Sequence, residues 1–351
     1  DEQMAYRIAA NKTAEASGWD FDLLDQQTDH LLDQDFDMSR YGMDLSYLED
    51  RDMPEEEEAP EEEEPEGGFE GEVPDEDHVV IRKGDIVMLG GHRIMCGDAT
   101  SAENMMRLMD CQSADICVTS PPYNAGYIGR AEKEREGRKY LHDEDQRSEE
   151  EYFEFLCRNM DVLLDNAREI FYNMGVVSGS KHTIVRLLNR YIDNFKDLLY
   201  WQKSNPVPSV AKGVISSGTE LIMAFGQNGS RAFRKDIGIF YGIIQGTTIG
   251  YNPWKEVHSA IFPEYLPKTL IETFTDEGDS VLDCFLGTGT TLIACQDTNR
   301  MCYGMELEPL YVQIAIERWI DHIGASADDV LIKRGDRSVS YRELKENGKG
   351  R

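Results

Sequence analysis

From Val79 onward, short apolar runs alternate with amphipathic stretches, and few architectures accommodate that alternation. Seven runs read as buried strands: 92–96, 115–119, 169–173, 198–202, 220–225, 280–285 and 302–305. Helical stretches lie between them at 102–109, 149–166, 181–191, 266–274, 290–298 and 311–322. The expectation is an α/β fold, a doubly wound, mostly parallel, seven-stranded sheet. Residues 227–257 break the alternation. They are rich in Gly, aromatic and basic residues and read as an inserted loop region.

Charge limits the function classes less than its total suggests. The chain has 351 residues and a net charge of −31, which looks wrong for a nucleic-acid binder. Its distribution removes most of the conflict. Residues 1–77 hold 28 acidic and 4 basic residues, whereas 78–351 hold 39 and 32. The second part is near balance and can carry a local basic face. Within the first part, short helices are expected at 4–16, 21–32 and 45–48, so 1–50 reads as a helical piece. Residues 51–77 read as a disordered linker, because glutamate blocks at 55–58 and 61–64 repel one another and little there is apolar. The main domain is expected at 78–327. The tail, 328–351, is expected to form a small hairpin and a short helix.

No apolar run reaches the ~18 residues of a membrane span. The chain opens on Asp1-Glu2-Gln3, without a basic and apolar leader, as a piece of something longer would. Seven cysteines are scattered with neither a CxxC pair nor zinc-ligand spacing. Reduced thiols in a cytoplasmic protein, with no membrane partner and no metal, are the expectation.

Two motifs carry chemistry. The run from Val281 to Thr291 takes a strand through Asp283, Phe285, Gly287 and Gly289 into a helix that starts at Thr290. The glycines allow a sharp turn and close approach to a ligand. The helix N-terminus offers free N–H groups to a carboxylate or phosphate. Nineteen residues after Gly287, Glu306 ends the next strand, where an acid suits the two hydroxyls of a ribose. No Gly-Lys-Ser/Thr follows, so this is not a Walker loop. The second motif is Ser120-Pro121-Pro122-Tyr123, directly after the apolar run 115–119. Its prolines stiffen the backbone and remove two donors. The Ser120 hydroxyl and Pro121 carbonyl can then act as two acceptors, beside the Tyr123 ring. That set fits a planar base bearing an NH2 group. A stiff strand-end turn is the alternative for this run alone.

Together the motifs resemble the amino-methylating DNA methyltransferases, from about Val79 to about Ile323. Gly97-Asp98 resembles the family's Gly-Asp before the Pro-Pro motif. Residues 258–263 and 266–274 resemble the segment that packs beside the cofactor. The order, Pro-Pro-Tyr first and Gly-rich motif second, is like that of the family's β group. The resemblance implies a methyltransferase sheet with S-adenosyl-L-methionine as cofactor. Asp283, the backbone from Phe285 to Gly289, and Thr290 would hold its methionine part. Glu306 would hold the ribose, and Asp98 the adenine.

The target base would be flipped out of double-stranded DNA. Ser120, Pro121, Pro122 and Tyr123 would form the catalytic motif, with the amine attacking the methyl directly and its proton leaving to water. Serine rather than aspartate at position 120 leans slightly toward cytosine N4 over adenine N6. Residues 227–257 correspond in place to the short target-recognition region, and basic residues in 126–139 and Lys203 and Lys212 suit phosphates. A homodimer and a companion restriction endonuclease are further partners the family implies. Arg7 to Lys12 with Trp19-Asp20 resembles the end of a ParB-like domain. Rival readings are an RNA or protein-amide methyltransferase, and a non-enzymatic DNA-binding module with the same fold.

Overall fold

The computed structural model describes residues 78–124, 147–177, 179–204, 218–227, 238–247 and 262–348. The expected N-terminal helices and linker, the basic segment 126–139, Lys212 and most of 227–257 lie outside the described residues. Those described, Gly218 aside, belong to one compact unit.

Its elements in chain order are β1 (Ile86–Leu89), β2 (His92–Cys96), α1 (Ala102–Met109), β3 (Ala114–Thr119), α2 (Glu149–Asn166), β4 (Ala167–Met174), α3 (Lys181–Arg190), β5 (Phe195–Lys203), β6 (Thr219–Gly226), β7 (Ile243–Gly246), α4 (Tyr265–Phe274), β8 (Ser280–Asp283), α5 (Thr290–Asp297), β9 (Met301–Glu306), α6 (Pro309–Ile323), β10 (Val330–Arg334), β11 (Arg337–Ser340) and α7 (Tyr341–Gly348). The strands form one sheet in the order β11-β10-β1-β2-β9-β8-β3-β4-β6-β5-β7. The seven expected strands are its central run, β2 to β5. Of these, β2, β9, β8, β3 and β4 pair in parallel, and β6 runs antiparallel between β4 and β5.

Four short strands widen the sheet beyond seven. β1 forms a hairpin with β2 through Gly90, whose φ of 55° suits glycine. β10 and β11 form the expected C-terminal hairpin, and β10 pairs antiparallel with β1. An Arg334–Asp85 ion pair, with Nε to Oδ1 at 2.8 Å, ties that edge together. At the other edge, β7 pairs parallel with β5. The insertion is therefore not all loop, and its residues 243–246 extend the sheet.

Both sheet faces are covered, as parallel strands require. Ile170, Tyr172 and Met174 of β4 pack toward α1, α2 and α3, while Phe171 packs toward α4, α5 and α6. This is the two-residue alternation of a strand buried on both sides. Local signals set the helix ends. Ser148 and Glu151 make a reciprocal capping box at the start of α2, and Pro309 opens α6 before Gly324 closes it at φ 64°.

Topology places the crevice. β8 leads through α5 to β9 on one side, while β3 leads through α2 to β4 on the other. The chain winds apart between β8 and β3. The carboxyl ends of these two strands therefore flank the opening where doubly wound sheets hold ligands.

Candidate active site

On the β8 side, Asp283 ends its strand wholly buried. Its Oδ1 accepts from Thr119 Oγ1 at 2.7 Å and from the Phe285 N–H at 3.1 Å. Its Oδ2 accepts from Thr291 Oγ1 at 2.6 Å. Burial pushes the carboxyl upward against these hydrogen bonds, which favour the charged form. Both oxygens thus grip protein groups, joining β3, the Gly-rich turn and α5. Gly287 and Gly289 follow at φ 54° and 93°. A Cβ on Gly289 would stand 2.9 Å from the Ala315 Cβ, so the turn lies flush against α6. Thr290 then opens α5, buried. Phe285 is half-buried, its ring 6.0 Å from that of Phe155.

Glu306 closes the far wall. Its Oε2 accepts from the Gly287 N–H at 2.8 Å and its Oε1 from the Glu308 N–H at 2.9 Å. Burial pushes its pKa up to about 7. Register brings Asp98 alongside, since Cys96 pairs with Glu306 and the Gly97 N–H donates to the Glu306 carbonyl at 2.9 Å. Asp98 is exposed and accepts from the Thr100 N–H and hydroxyl, both at 2.8 Å. Asp98, Glu306 and the Gly-rich turn are therefore brought together by β2, β9 and β8.

On the β3 side, Ser120 to Tyr123 leave the strand beside the end of β4. Pro121 is buried, and the Pro122 carbonyl accepts from the Tyr152 hydroxyl at 2.7 Å. Among the described residues no donor meets the Pro121 carbonyl. The Tyr123 hydroxyl lies 2.8 Å from Ser120 Oγ and donates to Glu220 Oε2 at 2.7 Å. Asn173 Nδ2 donates to the Tyr123 oxygen at 2.8 Å and to Glu220 Oε2 at 2.9 Å. Lys203 Nζ holds the other carboxylate oxygen, Oε1, at 2.7 Å. Burial, then the Glu220 charge, raises the Tyr123 pKa well above its ordinary value. Gly175 makes room for this ring: a Cβ there would meet Tyr123 Cδ2 and Cε2 at 2.8 Å. Asn173 Oδ1 is buried without a partner among the described residues, while its Nδ2 lies 3.4 Å from Ser120 Oγ.

Sequence reasoning singled out neither Asn173 nor Glu220. The signal was present: each is a polar residue at the end of a mostly apolar strand run. Lys203, expected to face phosphates, instead pairs with Glu220. The sequence points to the Tyr123 ring, yet its hydroxyl sits at the centre of a hydrogen-bond network. The Thr119–Asp283 bond spans the two halves, so the Pro-Pro motif and the Gly-rich turn are one assembly.

A sheet wound apart at β8 and β3, with two such clusters at its carboxyl ends, defines a doubly wound α/β protein with a ligand crevice. The pattern of the DNA methylase family matches residues 114–317, and the chain belongs to that family. The type II methyltransferase M.MwoI of Methanothermobacter wolfeii is 26% identical over 236 residues, covering 63% of this chain and 32% of the relative. M.BglI of Bacillus subtilis is 48% identical over 91 residues, 25% of this chain and 26% of the relative. M2.DpnII of Streptococcus pneumoniae is 30% identical over 171 residues, 43% of this chain and 63% of the relative. The chain thus spans less than two thirds of each of these relatives. In fold it is similar to the PvuII DNA methyltransferase (cytosine-N4-specific), at TM-score 0.53 and 17% identity, over 75% of this chain and 93% of that one. Among the described residues no helix is long and apolar enough to cross a membrane.

Proposed function

We propose that this chain is an S-adenosylmethionine-dependent DNA methyltransferase acting on an exocyclic base amine, with cytosine N4 favoured over adenine N6. The observation that carries the reading is the Thr119–Asp283 hydrogen bond at 2.7 Å, which locks an amine-sized acceptor cluster to a cofactor-type turn. Family membership supports DNA as the substrate.

The residues present fit the cofactor. Gly289 packs too closely on α6 for any side chain, and the helix it opens, α5, has no side-chain cap on its first N–H groups. The turn from Phe285 to Thr290 would take the methionine part, Glu306 the ribose hydroxyls and Asp98 the adenine. Asp283 acts indirectly, by holding the turn. When bound there, S-adenosylmethionine supplies an electrophilic methyl group.

The chain's own residues do the positioning. A target base flipped from the duplex presents its NH2 to Ser120 Oγ and the Pro121 carbonyl. Two acceptors on the two hydrogens localise the nitrogen lone pair toward the methyl carbon. Holding reactants in that line accounts for much of the acceleration. The Tyr123 ring walls the base pocket. Serine at position 120 supports the preference for cytosine.

The test is methyl transfer from labelled S-adenosylmethionine to duplex DNA, RNA and protein, followed by mass analysis of the digested DNA. N4-methylcytosine is the expected product. N6-methyladenine would reverse the base preference, and label confined to RNA or protein would overturn the reading.

A further inference from the structure

We propose that Glu220 is a positioning residue for this reaction: acting through Tyr123, it sets Ser120 as a hydrogen-bond acceptor and takes the proton that the target amine loses. The inference rests on the amine-methyltransferase reading above.

The donor inventory gives the chain of bonds a direction. A carboxylate only accepts, so the hydrogen between Tyr123 and Glu220 Oε2, 2.7 Å apart, belongs to the tyrosine. The Asn173 Nδ2 group only donates: it gives to the Tyr123 oxygen at 2.8 Å and to Glu220 at 2.9 Å, with a longer contact of 3.4 Å to Ser120 Oγ. The contact at 2.8 Å between Ser120 and Tyr123 must then run from Ser120 to the tyrosine oxygen. The other acceptor in reach of the serine hydrogen, the Asn173 carbonyl, is longer at 3.3 Å. With its one hydrogen committed to Tyr123, Ser120 has two lone pairs, of which the long Asn173 contact engages at most one, and it presents the other to the amine. Lys203 and Asn173 hold the carboxylate from two further directions, so Glu220 cannot swing away. Without a charged acceptor at position 220, the Tyr123 hydroxyl is free to turn and donate to Ser120. The serine hydrogen would then meet the amine, donor against donor.

The same bonds conduct a proton. As the amine nitrogen bonds the methyl carbon, it carries one proton too many. Its N–H bond breaks as a new O–H bond forms on Ser120. The original Ser120 hydrogen moves to the Tyr123 oxygen, and the Tyr123 hydrogen moves to Glu220 Oε2. One N–H bond is lost and one O–H bond gained, both hydroxyls end as they began, and the charges on nitrogen and carboxylate cancel. Glu220 then releases the proton to solvent.

Glu220→Gln and Tyr123→Phe test this in single-turnover methylation of a duplex oligonucleotide, with cofactor and duplex affinity measured by calorimetry. Each substitution is expected to slow methyl transfer about 100-fold, the low end for losing positioned acid–base help. Both affinities should stay essentially unchanged. The double variant should be no slower than either single one, because the two groups act in series. Imidazole added as an external base should speed the variants and not the parent. Variants as fast as the parent, losses that multiply in the double variant, or indifference to imidazole would overturn the proposal. A parent chain that methylates no DNA would instead overturn the functional reading, and the inference with it.

Discussion

Asp283 and Glu306 end neighbouring strands, and burial raises the pKa of both, but their partners differ. Asp283 is satisfied by two threonine hydroxyls and a backbone N–H, so it acts on the protein. Glu306 takes only backbone N–H groups, and under the proposed function ribose hydroxyls would compete for it. Its folded pKa of about 7 lies above the ordinary 4.5. Between these values the folded chain keeps a proton that the unfolded chain has given up, so this group makes stability fall as pH rises through that window. Glu306→Gln should remove that part of the slope, read as melting temperature against pH. Its cofactor affinity should drop by about 1.5–3 kcal/mol, the scale of a lost charged hydrogen bond. Ser120→Ala should do the reverse, lowering the single-turnover rate by on the order of 10²–10³, by analogy with a lost oxyanion donor, while cofactor binding stays level. The sequence alone would make Tyr123→Phe a mild change, since only the ring was legible. The buried hydroxyl contacts predict a severe one.

At the scale of elements, legibility followed length and burial. α1 and α2 occupy the ranges their patterns predict, and Ser101 and Ser148 cap them as sequence rules require. β1 and β7, four residues each, were not legible as strands. Their runs are too short to establish a period, and β7 leaves Ile243 exposed at the sheet edge. The Gly-rich turn is where element and site coincide. Gly289→Ala would strain φ at 93° and press a methyl to 2.9 Å from Ala315, so α5 must shift from α6. A loss of about 1–3 kcal/mol in denaturant unfolding is expected, the scale of backbone strain at such a position. Cofactor affinity should weaken with it, and unchanged stability would show that α5 and α6 yield freely.

For the whole molecule, the C-terminal residues read as a tail, yet they carry sheet and core. Val330, Ile332 and Tyr341 are wholly buried, and the Tyr341 hydroxyl donates to Glu317 at 2.6 Å. At roughly 1.5–3 kcal/mol for each buried side chain, their removal costs on the order of 5 kcal/mol, comparable to a domain's whole stability. A chain ending at Ala327 should therefore be largely unfolded or aggregated, as circular dichroism and gel filtration would report. A folded, cofactor-binding product would show the β1 edge to be stable without β10.

Periodicity and glycine placement were enough to determine a doubly wound sheet with its Gly-rich turn and Pro-Pro motif, because both depend on neighbours in sequence. What tertiary structure decided is which distant polar groups meet. Thr119 reaches Asp283 across 164 residues, and Tyr123 reaches Glu220 across 97. Such pairs arise where strand ends fall level across the sheet, at β3 and its neighbour β8, and at β3 and β6 with β4 between them. Strand order and register set that, and both depend on packing of the whole sheet rather than on any local run.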